Sequence, residues 1–150
     1  MLTNISFNKA DKNTTLPNRV ALKSFIEKQL GKEGLKVECL QYVFCSDKFL
    51  LDINKTFLKH NYYTDIISFD LSEHKGTLIA DVYISIDRVK ENAKTLKVPY
   101  KQELLRVLFH GALHFCGYKD KKPADAKKMR SMEDKWIKSY LKTFHVERSK

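Results

Sequence analysis

Two histidines and an aspartate near residue 110 are spaced to form a metal site. His110 and His114 stand four residues apart in HGALHFCGYKD (110–120), and Asp120 follows six residues after the second histidine. Residues four apart on a helix project from nearly the same face, so both imidazoles can be aimed at one point. Gly117 can end such a helix and let the chain turn back, which brings Asp120 within reach as a third ligand.

The chemistry of this set favours a catalytic ion over a structural one. Three protein ligands and a water form a catalytic zinc site, whereas a structural zinc site usually has four protein ligands. The metalloprotease pattern H-E-x-x-H has its general base directly after the first histidine, where this chain has Gly111. Hydrolysis here would need another base, and zinc lowers the pKa of its bound water to about 7.

Two simpler interpretations of the same residues stay open. The histidines are also compatible with a polar, hydrogen-bonded patch, and Asp120 with a helix cap or a turn residue ahead of Pro123.

The histidines lie on the fourth of five segments with helical patterns. That segment runs from Gln102 to Phe115. The third segment, RVKENAKTLK, follows Asp87 and ends before Pro99. The fifth begins after Pro123 and has an apolar side. The residues of that side are Met129, Met132, Trp136, Ile137, Tyr140 and Leu141.

The first two helical segments precede the site in the chain. LPNRVALKSFIEKQLG has Pro17 near its start and Gly31 near its end, with apolar residues at helical spacing. Those apolar residues are Val20, Leu22, Phe25, Ile26 and Leu30. Asp47 can cap the second helix, which runs to about Leu58.

Four short segments are predicted to form strands. They are ISFNKAD at a sheet edge, KVECLQYVFCS, and the pair DIISFDLS and TLIADVYISI, which are predicted to form a hairpin or adjacent strands. Strands and helices do not alternate strictly, which favours a small mixed sheet packed with helices. The sequence therefore predicts one α+β domain over residues 1–150, with a mixed four-stranded sheet and about five helices.

Composition narrows the class of protein. Hydrophobic residues make up 43% of the chain, the net charge is +10, and no apolar run approaches the roughly 20 residues that span a bilayer. We see no secretory signal at the N-terminus, and three unevenly spaced cysteines favour free thiols in a reducing compartment. These features predict a cytoplasmic protein, and the positive charge is typical of proteins that bind polyanions such as nucleic acids.

Three blocks of the sequence resemble the YbeY family of bacterial endoribonucleases. HGALHFCGYKD is similar to the family's H-G-x-L-H-x-x-G-Y-D-H, INKTFLKHNYYTDIISFD to its L-N-x-x-F and T-D-V-L-S-F stretch, and ADVYIS to its G-D-I-x-I-S. The blocks occur in the same order and at similar spacing, and the resemblance spans roughly residues 35–140.

The resemblance implies a small α+β fold with a zincin-like metal-binding helix and one zinc ion held by three histidines. It also implies metal-dependent cleavage of single-stranded RNA, in maturation of the 16S ribosomal RNA 3′ end and in ribosome quality control. His110 and His114 match the first two ligands, and the third falls on Asp120. A carboxylate oxygen binds zinc at about 2.0–2.2 Å, so we expect the exchange to be tolerated. Two histidines and a carboxylate also suit iron(II) and other divalent transition ions.

One departure concerns catalysis. Where the family usually has an arginine after the aromatic of L-N-x-x-F, this chain has Leu58. We expect Lys59 or Arg106, which lies on the histidine stripe, to supply the missing positive charge near a phosphate. The alternatives are a solvated Lys59 and an Arg106 paired with Glu103.

Other side chains could assist at the site. Unpaired bases could stack on Tyr62, Tyr63 or Tyr118, although each tyrosine could equally be a core residue with a bonded hydroxyl. Asp81 could orient a ligand histidine, or simply make a hydrogen bond at a strand end.

The expected partners are ribosomal RNA and ribosomal particles, with no membrane and no DNA. The leading alternative function is a non-catalytic ribosome-associated RNA-binding factor with a structural metal. A hydrolase of small molecules or peptides is disfavoured by Gly111 and by the charge of +10. An iron(II) oxygenase is disfavoured because the chain has too few strands for a β-barrel.

Overall fold

Four strands form one mixed sheet in the computed structural model, which describes residues 3–16 and 18–148. They are β1 (Ile5–Lys9), β2 (Lys36–Cys45), β3 (Ile66–Asp70) and β4 (Thr77–Ser85), and their order across the sheet is β1-β2-β4-β3. β2 is parallel to both β1 and β4, whereas β3 and β4 form an antiparallel pair. The predicted mixed sheet, its edge strand and its hairpin are confirmed.

The described residues contain five α-helices. They are α1 (Arg19–Lys32), α2 (Asp47–Leu58), α3 (Ile86–Leu96), α4 (Tyr100–Phe115) and α5 (Pro123–Arg148). The predicted α+β class is therefore confirmed.

Details at the first and last helices differ from expectation. Pro17, proposed as a start signal, lies outside the described residues. Gly31 falls inside α1, and the left-handed residue beyond the helix is Gly34, with a φ of 88°. Val20 and Leu141, assigned to apolar sides, are both exposed. Leu141 lies at the margin of the buried face of α5, whereas Val20 lies on nearly the opposite side of α1 from the buried Leu22 and Ile26.

Serines cap α2 and α3, although we expected Asp47 to cap α2. Ser46 Oγ accepts the backbone N–H of Phe49 at the start of α2, and Ser85 Oγ accepts that of Arg88 at the start of α3. Asp47 and Asp87 instead lie in the first turns of these helices. There a negative charge is stabilised by the helix dipole, and Asp47 also accepts a hydrogen bond of 2.6 Å from Ser85 Oγ.

The main core lies between one face of the sheet and helices α1, α4 and α5. An aromatic cluster joins these three helices, with Phe109 of α4 within 6.2 Å of each of its ring partners. Those partners are Phe25, Trp136 and Tyr140. Tyr42 in β2 is fully buried and donates its hydroxyl to the carbonyl of Leu108 at 3.1 Å, which ties the sheet to α4. A smaller cluster on the opposite face packs α2 against the sheet through Leu50, Cys45 and Ile67.

Gly111 allows α4 to lie very close to the sheet. A Cβ at this position would come within 2.9 Å of Ile66 Cδ1 and 3.3 Å of Val82 Cγ1, both below ordinary contact distance. Position 111 therefore faces the sheet and has no room for a side chain. A glutamate there, as in H-E-x-x-H, could not point at the histidine site.

We expect Gly111→Leu to lower the free energy of unfolding by about 1–3 kcal/mol, because overpacking forces α4 away from β3 and β4. Gly31→Leu is the matched control, since it makes the same exchange in a helix where no atom lies within 4 Å of the new Cβ. That variant should be neutral, or more stable by up to about 1 kcal/mol through helix propensity. Urea denaturation followed by circular dichroism measures both, and equal stabilities of the two variants would contradict the close approach.

Candidate metal centre

The end of α4 and the loop after it bring three ligand atoms together. His110 and His114 lie on successive turns of α4, with their ring centroids 4.6 Å apart. The helix ends at Phe115, and Gly117 follows with a φ of 97°, a conformation that glycine adopts without strain. The chain then turns back, so that Asp120 faces both imidazoles as predicted.

The three ligand atoms have the separations that a tetrahedral ion requires. His110 Nε2 lies 3.0 Å from His114 Nε2 and 3.1 Å from Asp120 Oδ2, and His114 Nε2 lies 3.4 Å from Asp120 Oδ2. Bonds of about 2.0–2.1 Å at the tetrahedral angle hold two ligands about 3.3 Å apart. One ion can therefore contact all three atoms. Among the described residues, His110, His114 and Asp120 are the group of side chains that could hold a metal ion. The side chains of His114 and Asp120 are each about one-third exposed, which leaves an approach from solvent.

Glu133 of α5 holds the ring of His110. Its Oε2 lies 2.6 Å from His110 Nδ1, so Nδ1 donates and Nε2 is the atom directed at His114 and Asp120. A carboxylate bonded to the second ring nitrogen is the usual support of a metal-binding histidine. Burial alone would lower the pKa of His110, but the hydrogen bond and charge of Glu133, together with Asp120 and Asp65, raise it.

Arg106 holds the same carboxylate from the other side. Its Nη1 donates to Glu133 Oε1 at 3.0 Å, and its Nη2 donates to Asp134 Oδ1 at 2.7 Å. Burial would lower the pKa of Arg106, but these hydrogen bonds and charges raise it. The expected partner Glu103 is more distant, with Oε1 at 4.0 Å from Arg106 Nε. Arg106 is thus a buried bridge between α4 and α5, and only 12% of its side chain is exposed.

A cleft of about 410 Å³ lies beside the three ligand atoms. Its lining includes His110, Asp120, Arg106 and two further carboxylates, Asp65 and Glu103. Burial raises the pKa of Asp65, against the lowering effect of His110. Burial likewise raises the pKa of Glu103, against the lowering effect of Arg106. The cleft therefore holds groups that can bind a cation and groups that can hold a proton.

Two other candidates from the sequence lie away from this cleft. Lys59 is an exposed residue in the left-handed conformation just after α2, and it is not among the described residues that line the cleft. Asp81 lies on the opposite face of β4 from the histidines. Its neighbour Val82 points at Gly111 of α4, and side chains alternate along a strand. Asp81 is therefore not the residue that orients a histidine, and Glu133 has that position.

The tyrosines fall into two groups. Tyr118 donates its hydroxyl to Glu33 at 3.0 Å, and Lys128 lies 5.7 Å from the centre of its ring, so this ring is occupied by contacts within the protein. Tyr62 and Tyr63 are more than half exposed, which excludes core packing for both.

Sequence reasoning missed Glu133 and Asp65. Glu133 had a recognisable signal, because it lies four residues after Met129 and three before Trp136, on the apolar side of α5. A carboxylate on such a side needs a buried partner. Asp65 precedes β3, and nothing in the local sequence indicates that it reaches α4.

Comparison with known proteins identifies the family. A family described as Endoribonuclease YbeY matches residues 4–141. The Endoribonuclease YbeY of Cytophaga hutchinsonii is 47% identical over 130 residues, which cover 87% of this chain and 91% of the relative. That of Flavobacterium psychrophilum is 51% identical over 110 residues, which cover 73% and 75% of the two chains. This chain belongs to the YbeY endoribonuclease family.

A solved structure has the same fold. The solution structure of a protein from Thermotoga maritima superimposes with a TM-score of 0.60, covering 95% of this chain and 93% of that one at 22% sequence identity. All three candidate ligands fall inside the region that matches the YbeY family. In the part of the chain that the structure describes, no helix is long and apolar enough to cross a membrane.

We expect the purified protein, expressed with sufficient metal, to carry about one equivalent of a divalent transition ion. His114→Ala removes one of three ligands and should lose that ion, whereas His74→Ala removes an exposed histidine in the turn between β3 and β4 and should keep it. Elemental analysis of the three proteins measures the content. Absence of metal from the unaltered protein would remove the site.

Glu133→Gln should weaken metal binding about 10- to 100-fold, because the His110 ring loses its charged support. Asp134→Asn is the matched control. It also removes one negative charge that is bonded to Arg106, but Asp134 makes no hydrogen bond to His110. Titration against a chromophoric chelator compares the two affinities. An equal loss in both variants would show that general charge, and not the contact with the ring, controls affinity.

Proposed function

We propose that this YbeY family member is a metal-dependent endoribonuclease that cleaves single-stranded RNA, with zinc as the expected ion. The observation that supports it best is the convergence of His110, His114 and Asp120 at distances of 3.0–3.4 Å. Relatives up to 51% identical bear the name Endoribonuclease YbeY. The net charge of +10 suits an RNA substrate.

The ion would supply Lewis acidity and an activated water at neutral pH. His110, His114 and Asp120 would hold it, and Glu133 keeps His110 in the orientation that ligation requires. Asp120 in place of the family's usual histidine makes the site less positive by one charge. This exchange widens the range of ions that fit, since two imidazoles and a carboxylate also suit iron(II) and related ions.

The positive charge near the reacting phosphate is proposed to come from Arg106 or Lys59. Arg106 lines the cleft beside His110, which supports it, but two of its nitrogens already hold Glu133 and Asp134. Its effect on a phosphate is therefore mainly electrostatic, exerted from a fixed position. Lys59 is exposed and is not among the described residues that line the cleft, so it would have to move toward a bound strand.

Within the cell, we propose that the substrate is ribosomal RNA on ribosomal particles in the cytoplasm. The expected reactions are maturation of the 16S ribosomal RNA 3′ end and removal of defective ribosomes. This part rests on membership of the family and on the basic charge.

A second candidate function is an RNA-binding factor of the ribosome in which the metal only braces α4 against the loop after it. Leu58 at the family's arginine position favours this candidate, since a side chain expected to help catalysis is missing.

Metal-loaded protein should cut an unstructured ribosomal RNA fragment, and chelation should stop the reaction. His110→Ala/His114→Ala should lower kcat about a hundredfold or more, because the group that activates water is lost. His74→Ala is the control and should cleave normally. Gel electrophoresis of end-labelled RNA, with a perfect duplex of the same sequence as a second substrate, measures the rates.

The outcomes separate the two candidates. Binding of the fragment without cleavage by metal-loaded protein would favour the RNA-binding factor. Full cleavage by the double histidine variant would show that the ion is not part of the reaction.

A further inference from the structure

An exposed aromatic segment ends two residues before Asp65, which lines the cleft at the candidate metal centre. Residues 55–63, KTFLKHNYY, are all exposed. This segment holds four of the eight large hydrophobic side chains that are exposed in the described residues: Phe57, Leu58, Tyr62 and Tyr63. Exposed hydrophobic side chains concentrated in this way within nine residues are typical of a binding surface.

The buried residue Asn54 holds the backbone of the segment in place. Asn54 is 2% exposed, and its Nδ2 donates to the carbonyl of Tyr62 at 2.8 Å. The backbone carbonyl of Asn54 accepts the N–H of His60 at 3.1 Å. Asn54 thus fixes the loop at two points, through its buried side-chain amide and through its backbone carbonyl, so the side chains of the loop are presented in a defined arrangement.

The rings are also supported, each on one side. The guanidinium of Arg88 lies 5.3 Å from the centre of the Tyr63 ring and is itself held by Asp47 at 3.0 Å. The Tyr62 ring lies 5.2 Å from the ring of His60. More than half of each tyrosine remains exposed, at 57% for Tyr62 and 55% for Tyr63. Rings that are fixed and open to solvent lose little entropy when a planar ligand stacks on them.

Position and charge indicate which ligand the segment would take. Asp65, two residues after Tyr63, lines the cleft that contains His110, so the chain passes from the segment to the cleft within two residues. The segment contains Lys55 and Lys59 and no acidic residue. Aromatic rings interleaved with positive charges suit the bases and phosphates of a single strand. In a duplex the flat faces of the bases are already stacked on each other.

We propose that residues 55–63 form a stacking surface for unpaired bases of the RNA strand that enters the metal centre. This inference rests on the proposed function. Tyr62 and Tyr63 supply the stacking rings, and Lys55 and Lys59 accompany the backbone. Because stacking tolerates any base, the surface selects unpaired RNA by its lack of structure and not by its sequence.

The test compares two double variants. Tyr62→Leu/Tyr63→Leu keeps apolar area but removes the rings, whereas Tyr62→Phe/Tyr63→Phe keeps the rings and removes the hydroxyls. Fluorescence anisotropy with a labelled single-stranded oligoribonucleotide measures affinity, and heparin serves as a polyanion without bases. Thermal melts and metal content confirm that each variant is folded and loaded, and a denaturing gel of the same samples shows whether the RNA was cut.

The leucine variant should bind the RNA about five- to a hundredfold more weakly for each base that loses its ring. The phenylalanine variant should bind RNA like the unaltered protein, and all three proteins should bind heparin equally. This pattern supports the stacking surface whether or not the gel shows cleavage, so a failed nuclease activity would not be confused with a failed surface. Equal affinity of all three proteins for the RNA would overturn the proposal and leave the exposed rings as a contact for another protein.

Discussion

The candidate metal centre depends on the hydrogen bonds that the buried carboxylate of Glu133 accepts. This carboxylate accepts a hydrogen bond from His110 at 2.6 Å and from Arg106 at 3.0 Å, and the side chain is almost wholly buried. A carboxylate in such surroundings destabilises the fold unless it is paired, so α4 and α5 must dock in the register that supplies both partners. The same contact fixes which nitrogen of His110 faces His114 and Asp120. The orientation of the ligand ring is therefore set by helix packing, through a bond that exists independently of any ion.

The charge of the site is opposite to that of the chain. The protein carries a net charge of +10, yet the cleft and its border collect Asp65, Glu103, Asp120, Glu133 and Asp134. These two features act over different distances. Net positive charge attracts a polyanion from several ångströms away and weakens with salt, whereas clustered carboxylates act on a cation in direct contact. Acidic groups at the centre of a basic protein can thus retain an ion without preventing RNA from approaching.

The parts of the site that could be predicted from sequence are those set by local geometry. His110 and His114 share a face because they lie four apart on one helix, and Asp120 returns to them because Gly117 permits a tight turn. The position of Glu133 on the apolar side of α5 signals a buried partner. That this partner is His110, 23 residues away, depends on how α5 packs against α4.

In the sheet, the strands were predictable from sequence, but the face that each side chain occupies was not. Its four strands could be recognised from their apolar runs, but the face that each side chain occupies follows from which residues meet α4. Val82 lies against Gly111, so Asp81 must point away. A glycine inside a strongly helical segment signals tight packing at that position. It does not indicate that α4 packs there against β3 and β4.

Leu58 belongs to the exposed aromatic segment, and it is also the departure from the family that concerns catalysis. At this position the family usually has an arginine, which can pair with a phosphate and whose contribution falls as salt rises. This chain has an apolar residue there, flanked by Phe57 and followed within five residues by Tyr62 and Tyr63. Stacking on aromatic rings does not require counterion release and is less sensitive to salt than an ion pair. In the proposed function, the absence of an arginine and the presence of several exposed rings in the same nine residues would act in one direction. They would shift the recognition of RNA from the backbone of the strand toward its bases.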